Sequence, residues 1–169
     1  MIHVLFVCLG NICRSPMAEG IFRTLLQERG LQDKVVADSA GTSGFHAGEL
    51  PDSRMLETAR AHNIELTHRA RKLSIEDFAR FQYIISMDSA NLEIILALQK
   101  KALQAGIIAT PKILMMRSFD PEASEYDADV PDPYYGEHDG FEYVYDVLYR
   151  SCSNFLDFLE NTALKARTV

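Results

Sequence analysis

Residues 2–16 read IHVLFVCLGNICRSP, and this stretch decides the fold. Ile2–Val7 is a continuous apolar run rich in branched side chains, which predicts a strand buried on both faces. Pro16–Arg29 follows as a helix-forming run, with Pro16 suited to its first turn and Gly30 to its end. A strand, a tight loop and a helix N-terminus are therefore predicted to follow one another directly.

The remainder of the chain alternates predicted strands with predicted helices. Three further strands are predicted, at Lys34–Ser39, Tyr83–Met87 and Lys112–Met115. Further helices are predicted to begin at Pro51, after a Ser74–Asp77 capping box and at Asp88 or Ser89, and the last to cover Phe141–Glu160. This alternation predicts an α/β fold, a parallel sheet with helices on both faces. Because no repeat, linker or internal boundary is visible, residues 1–169 are predicted to form a single domain.

The loop after the first strand combines anion-binding groups with a nucleophile. Five residues separate Cys8 from Arg14, and their backbone N–H groups can point inward as an anion-binding nest. The dipole of the following helix adds partial positive charge, and the guanidinium of Arg14 matches two phosphate oxygens. The predicted phosphate-binding residues are Leu9, Gly10, Asn11, Ile12, Cys13, Arg14 and Ser15.

The thiol of Cys8 is the predicted nucleophile. In this setting we expect it to be a thiolate at neutral pH, and a thiolate beside a phosphate predicts phosphoryl transfer through a cysteinyl-phosphate. Ser15 is placed to donate a hydrogen bond to the Cys8 sulfur, which would steady the thiolate and help it to leave. Gly10 and Asn11 tolerate positive φ, which a loop that curls round an anion needs.

A general acid is also required, because a thiolate alone does not readily expel an alkoxide or phenoxide, and a base must then activate water. The best candidate is Asp132, within the sequence VPDPYYG at residues 130–136. Prolines on both sides stiffen this segment and limit how far the carboxyl group can move.

Composition restricts the partners and the compartment. A formal net charge of -7 and a pI of about 5.2 argue against nucleic acid or an anionic membrane as the main partner. No segment approaches the roughly 20 apolar residues that span a bilayer, and the apolar start is too short for a secretory signal. With three cysteines, we expect a cytoplasmic, thiol-reduced protein. No metal or other cofactor is expected, because no histidine pair stands near Cys8 and Cys13 at ligand spacing.

Four segments together carry a resemblance to a known family. They are Cys8–Ser15, the sequence DSAGTSG at residues 38–44, Met87-Asp88 with Asn91-Leu92, and DPYYG at residues 132–136. From Val4 to about Leu159, the chain resembles the low-molecular-weight protein tyrosine phosphatases. The resemblance implies a four-stranded parallel sheet with the phosphate-binding loop after strand 1, a cysteinyl-phosphate intermediate, no metal, and Asp132 acting as acid and then as base. It also implies phosphotyrosine proteins and small aryl phosphates as substrates, and inorganic phosphate as an inhibitory product.

The same resemblance assigns supporting residues. It implies that Ser39 hydrogen-bonds Asn11, and that His68 pairs with acids at positions 19 and 38 as a structural residue rather than as a base. It further implies that aromatic side chains wall a substrate cleft deep enough for a phenyl phosphate; these are Phe45, Tyr134 and Tyr135.

Cysteine placement and the identity of residue 12 leave alternatives open. Cys13 can approach Cys8, so a reversible disulfide is predicted to protect the nucleophile from over-oxidation, whereas Cys152 is predicted to lie in the core. An arsenate reductase on a similar scaffold would use two further cysteines, and only Cys152 remains. A phosphoarginine phosphatase of the same family tends to carry Thr where Ile12 stands. A phosphate-binding module without catalysis is a third, weaker alternative.

Overall fold

Four parallel strands form the centre of the molecule, in the order β2-β1-β3-β4. The computed structural model describes residues 1–108 and 110–165. The strands are β1 (Ile2–Cys8), β2 (Val35–Gly41), β3 (Tyr83–Ser86) and β4 (Lys112–Met115). The helices are α1 (Arg14–Glu28), α2 (Ser53–Ala61), α3 (Asp77–Arg80), α4 (Ser89–Gln104) and α5 (His138–Leu159), with a 3₁₀ turn at Met116–Phe119 and a π-helical segment at Glu160–Leu164.

Both faces of the sheet are covered, which explains the unbroken apolar run of β1. Val4 and Phe6 point into a core shared with α1 and α5, whereas Leu5 and Val7 point into a second core shared with α3 and α4. The rings of Phe6, Phe22 and Phe155 pack together in the first core. The predicted four-stranded parallel sheet with helices on both faces is confirmed. No helix within the described residues combines the length and the apolarity needed to cross a membrane.

The register of the sheet brings several loops to one edge. Cys8, the last residue of β1, lies opposite Gly41 at the end of β2, and Val7 lies opposite Ser86 at the end of β3. In a parallel sheet, the carboxyl ends of all strands meet at the same edge. The loops that follow β1, β2 and β3 therefore surround Cys8.

Several predicted element boundaries were wrong by two or three residues. Helix α1 begins at Arg14, two residues before Pro16, since Met17 N–H already donates to the Cys13 carbonyl at 3.3 Å. Pro16 still lies in the first turn, where its missing N–H costs no helical hydrogen bond. Strand β2 extends to Gly41, which pairs with Cys8, and α5 begins at His138 rather than Phe141.

The starts of three other helices can be compared with the predictions. Pro51 precedes α2 without belonging to it, and Asp52 caps the helix by accepting a hydrogen bond from the Arg54 N–H at 2.9 Å. At the start of α3, the carboxylate of Asp77, its first residue, accepts from the Ser74 N–H at 2.9 Å. This hydrogen bond is one half of the predicted capping box. Asp88 caps α4, as predicted, by accepting from the Asn91 N–H at 2.7 Å.

A buried charge cluster fastens the segment after β4 to α5. Asp120 accepts two hydrogen bonds from Arg150, at 2.8 and 3.1 Å, and its Oδ2 lies 3.0 Å from Nε of Arg117. The Asp120 side chain has no exposed surface and Arg117 is 5% exposed. Burial alone would raise the pKa of Asp120, but the hydrogen bonds from Arg150 and the charges of Arg150 and Arg117 hold it below its ordinary value.

Replacing Asp120 by Asn is expected to lower the free energy of unfolding by about 3 kcal/mol at neutral pH, because it leaves two arginines without their shared anion. The pKa of Asp120 is lowered in the folded state, so its contribution is complete above about pH 4 and is lost as pH falls further. Urea unfolding from pH 7 down to pH 3 should therefore show the difference from wild type shrinking.

The matched control for this prediction is Glu122→Gln. Glu122 lies 3.4 Å from the same Arg150 but its side chain is 69% exposed, so a change of no more than about 0.5 kcal/mol is expected. Equal effects of the two substitutions would contradict the role given to the buried carboxylate.

Candidate active site

The loop after β1 closes round the sulfur of Cys8. The backbone N–H of Asn11 donates to Cys8 Sγ at 3.3 Å, and Ser15 Oγ lies 2.9 Å from the same sulfur. Ser15 Oγ accepts from the Asn11 amide at 2.9 Å, so its own proton is free for Cys8 or for the Ala40 carbonyl at 3.4 Å. The shorter contact is the one to sulfur, and this places Ser15 as a donor to Cys8.

Asn11 holds the loop in this shape. Its φ is 55°, in the left-handed region, and its side chain is completely buried. The amide nitrogen donates to Ser15 and, at 3.0 Å, to Ser39, which is the contact implied by the family resemblance. The amide oxygen lies 2.8 Å from Nε2 of His68 and accepts from the Arg71 N–H at 2.9 Å. All four hydrogen-bonding positions of the side chain are therefore used.

Ionisable side chains contact the partners of the Asn11 amide. Ser39 donates to Glu19 at 2.6 Å, and His68 Nδ1 lies 3.3 Å from Glu19 and 3.5 Å from Asp38. Burial raises the pKa of Glu19, while the hydrogen bond from Ser39 and the charge of His68 oppose that shift. Arg71, which the sequence did not single out, contacts Asp38 and also Asp77, each at 3.0 Å. The pairing of His68 with Glu19 and Asp38 is as implied.

Glu19, Asp38 and His68 also have the spacing of potential metal ligands. One ligand atom from each lies within 4.8 Å of the other two. The Glu19 oxygen in this group already accepts from Ser39, and His68 is oriented by Asn11. The two nitrogens of His68 thus join the acids to the loop, and we interpret the group as an ion-pair cluster.

Arg14 lies at the other end of the loop with almost no exposed surface. Its Nη1 donates to Asp88 at 2.6 Å and to the Val130 carbonyl at 3.0 Å, and its Nη2 donates to Asp132 at 3.2 Å. Burial alone would lower the pKa of Arg14, but Cys8 and Asp88 raise it above its ordinary value. The guanidinium is therefore fixed between the nucleophile candidate and the acid candidate.

Asp88 was predicted only as a helix cap, and its second role was missed. One carboxylate oxygen accepts from the Asn91 N–H at 2.7 Å, and the other accepts from Arg14. The position of Asp88 directly after a predicted strand was a signal, since residues there face the site in parallel sheets.

A cavity of about 330 Å³ opens above the loop. Cys8, Arg14 and Asp132 line it together, and its remaining walls include Leu9, Gly10, Ile12, Cys13, Ser43, Phe45, His46, Tyr134 and Tyr135. Phe45 and Tyr135 are 84% and 93% exposed, so they stand at the mouth, whereas Tyr134 is 36% exposed and lies deeper. His46 stands between Phe45 and Tyr134 and was not predicted to line the cavity.

Arg54 supports the aromatic wall and was also missed. Its Nη2 donates to the Tyr134 carbonyl at 2.9 Å and to Asp52 at 2.9 Å, and its guanidinium lies over the rings of Tyr134 and Phe141. Asp52 in turn donates its N–H to the Ile12 carbonyl at 2.8 Å. The phosphate-binding loop and the aromatic wall are thus joined through a single ion pair.

The two other cysteines differ in their placement. Cys13 lines the cavity although it is buried, and burial together with the nearby Asp52 raises the pKa of its thiol. Cys152 lies in the core on α5, as predicted, where burial raises the pKa of its thiol. All three cysteines are free thiols in the structure.

Known proteins are similar to this chain in sequence and in architecture. Residues 3–167 match the family model for low molecular weight phosphotyrosine protein phosphatase. Over 154 residues the chain is 42% identical to the low molecular weight phosphotyrosine protein phosphatase of Sus scrofa, covering 91% of this chain and 93% of that relative. The chain therefore belongs to the low molecular weight phosphotyrosine protein phosphatase family.

Solved structures agree with this assignment. A protein tyrosine phosphatase from Entamoeba histolytica aligns with a TM-score of 0.85 at 36% identity, covering 95% of this chain and 98% of that one. A Drosophila arginine phosphatase aligns with a TM-score of 0.82, also at 36% identity, covering 92% of this chain and 96% of that one. The same fold therefore occurs in proteins named for two different phosphorylated side chains.

Replacing Asn11 by Ala is expected to lower the free energy of unfolding by about 2–4 kcal/mol, because two buried and two partly buried partners lose their hydrogen bonds. Binding of inorganic phosphate should weaken at least about tenfold as the loop relaxes. Denaturant unfolding and titration calorimetry measure these two effects.

Asn63 supplies the control for backbone strain. Its φ is 58°, close to that of Asn11, but it is exposed and lies at the end of α2. Asn63→Ala therefore carries the same conformational penalty without the buried hydrogen bonds. If the two substitutions cost the same, the hydrogen bonds of Asn11 do not hold the loop.

Proposed function

We propose that this protein hydrolyses phosphotyrosine and small aryl phosphates through a cysteinyl-phosphate intermediate. The observation that carries the proposal is that Cys8, Arg14 and Asp132 face one cavity, with the Asn11 N–H turned toward the sulfur. Membership of the phosphatase family supports the same reaction.

Each residue has a defined part in the proposed reaction. The Cys8 thiolate attacks phosphorus and the bond to the phenolic oxygen breaks, while protonated Asp132 gives its proton to that oxygen. Arg14 and the loop N–H groups, from Leu9 to Ser15, stabilise the charge on the transferred group. Asp132, now a carboxylate, takes a proton from the attacking water, and the sulfur leaves with Ser15 donating to it.

The contact between Arg14 and Asp132 suggests how substrate prepares the acid. Nη2 of Arg14 donates to the Asp132 carboxylate at 3.2 Å. A phosphate oxygen that accepts from the same N–H would displace this carboxylate from Arg14 and free it to turn toward the leaving oxygen.

The mouth of the cavity favours an aromatic substrate. The side chains of Phe45, Tyr134 and Tyr135 provide ring faces, and Ile12 contributes methyl groups where a hydroxyl would suit a guanidinium. Phosphoarginine is the second candidate, because the chain also resembles an arginine phosphatase at 36% identity. Arsenate reduction is less well supported, because Cys152 is buried in α5.

Regulation and cellular context form part of the same proposal. A Cys8–Cys13 disulfide would protect the nucleophile, although the raised pKa of Cys13 makes it a slow attacking thiol at neutral pH. Inorganic phosphate, the product, would inhibit by occupying the loop. We propose a single-domain cytoplasmic enzyme acting on phosphotyrosine-containing proteins without a metal, and with neither nucleic acid nor membrane as a partner.

Replacing Cys8 by Ser is expected to reduce aryl phosphate turnover at least about 10⁴-fold while inorganic phosphate still binds. Assays use p-nitrophenyl phosphate, a phosphotyrosine peptide and phosphoarginine, each with reductant and a metal chelator. Cys13→Ser is the matched control, since it removes a thiol from the same loop and should retain turnover. Phosphoarginine turned over faster than phosphotyrosine would favour the second candidate, and turnover that survives Cys8→Ser would overturn the mechanism.

Replacing Asp132 by Ala is expected to slow hydrolysis of phenyl phosphate about 10²–10⁴-fold and that of p-nitrophenyl phosphate much less, since a good leaving group needs little protonation. The measurement is kcat/KM for a series of substituted phenyl phosphates, because this ratio reports the transfer to Cys8 and excludes the later hydrolysis step, in which Asp132 also takes part. Glu125→Ala, which removes an exposed carboxylate from the same segment, should leave the series unchanged. A uniform decrease for all leaving groups in Asp132→Ala would exclude Asp132 as the acid.

A further inference from the structure

Residues 120–132 form an irregular segment between the 3₁₀ turn and α5, and Asp132 lies at its end. The position of that carboxylate depends on what holds the segment against the sheet. Val130 is completely buried, donates its N–H to the Met87 carbonyl at 2.8 Å, and accepts from Arg14 at 3.0 Å. These bonds fix the backbone two residues before the acid candidate.

Arg117 ties the two ends of this segment together. At the beginning, its Nε lies 3.0 Å from Asp120, whose carboxylate is also held by Arg150 of α5. At the end, its Nη1 donates to the carbonyl of Asp129 at 3.2 Å. A buried arginine thus joins the two ends of a ten-residue stretch, residues 120–129, that contains no helix or strand.

Asp129 contacts the first residue of α4, which lies next to the active site. Its carboxylate accepts from the Ser89 N–H at 2.8 Å and from the Ser89 hydroxyl at 2.7 Å, at the first turn of α4. Ser89 directly follows Asp88, which holds Arg14 at 2.6 Å. The backbone of Asp129 is therefore held by Arg117 while its side chain is held beside the residue that orients Arg14.

We propose that Arg117 and Asp129 are positioning residues for the proposed acid Asp132, holding the segment that carries it at a fixed distance from Cys8. This inference rests on the proposed function, because it assigns them to the proton transfer made by Asp132. Neither residue lines the cavity, so both act through the backbone of residues 129–132.

A small displacement is enough to matter for this step. Proton transfer requires the donor and the leaving oxygen to be within hydrogen-bond reach, and a misplacement of about 1 Å can cost on the order of 10²-fold in rate. Pro131 and Pro133 make the segment stiff, so a shift at Asp129 is passed on to Asp132 rather than absorbed between them. The bond from Arg14 of the loop to the Val130 carbonyl is separate from the contacts of Asp129 with Ser89, so phosphate binding should be affected less than proton transfer.

The test is the leaving-group dependence of kcat/KM, which reports the transfer to Cys8, in Asp129→Ala, which removes both contacts with Ser89. We expect phenyl phosphate turnover to fall about ten- to a hundredfold, p-nitrophenyl phosphate turnover to fall less than about threefold, and inhibition by inorganic phosphate to stay within about twofold. Asp129→Asn keeps an acceptor oxygen for Ser89 and should restore most of the activity. Glu125→Ala is the control for loss of a charge in the same segment.

A double variant shows whether the effect passes through Asp132. If it does, adding Asp129→Ala to Asp132→Ala causes no further loss on phenyl phosphate, whereas independent effects multiply. Arg117→Met should show the same selective loss, and Ser89→Ala, which removes only the hydroxyl contact, a smaller loss of the same kind. Ser89→Ala also keeps the test valid if a variant of the buried arginine does not fold.

The possible outcomes separate this inference from the proposed function. Uniform slowing of all substrates by Asp129→Ala, weakened phosphate binding, or a multiplicative double variant would overturn the positioning role while leaving Asp132 as the acid. If Asp132→Ala itself shows no dependence on the leaving group, the proposed mechanism fails first. Thermal unfolding of each variant identifies losses that come from instability alone.

Discussion

The rest of the site depends on one buried side-chain amide, that of Asn11. The loop between β1 and α1 must turn its N–H groups inward, which is a conformation that a chain of L-residues does not adopt without support. Asn11 takes the left-handed conformation, and its amide bonds Ser15 and Ser39 on one side and His68 and the Arg71 backbone on the other. A residue in a strained conformation is thereby fixed by four contacts from three separate parts of the chain, so that the loop lining the cavity is preformed.

Ion pairs with acidic side chains make it possible to bury arginines in this protein, whose net charge is -7. Arg14 would be costly to bury alone, and Asp88 and Asp132 offset that cost from opposite sides. Arg71 is paired with Asp38 and Asp77 in the same manner, and Arg117 with Asp120. The acidic residues therefore act locally, because each of them holds the guanidinium of a particular arginine in position. Because acidic residues outnumber basic ones, the electrostatic field of the whole protein does not attract an anionic substrate, and the attraction has to come from the loop.

The sequence predicted the sheet, the order of elements and the residues of the loop, because apolar runs and turn residues are local signals. It also indicated Asp132, since prolines on both sides mark a carboxylate that is held in place. It did not predict Arg54, Arg71 or the second role of Asp88, because these residues act through partners 33 or more positions away and look like ordinary surface charges or caps. The start of α1 was also misplaced. Arg14 and Ser15 were assigned to the loop because their side chains face Cys8 and the cavity, but their backbone already forms the first turn of the helix.

The central position of β1 has a consequence for how the molecule is made. Residues 2–8 are synthesised before residues 35–41 and 83–86, with which they pair, and the loop that follows them is completed by contacts from residues 39, 68 and 88 and finally from residue 132. Such long sequence separations make folding slow compared with a chain of local contacts. A nascent chain in which residue 100 has just left the ribosome lacks the segment that brings Asp132 to Arg14. Cys8 therefore leaves the ribosome well before the groups that complete its surroundings.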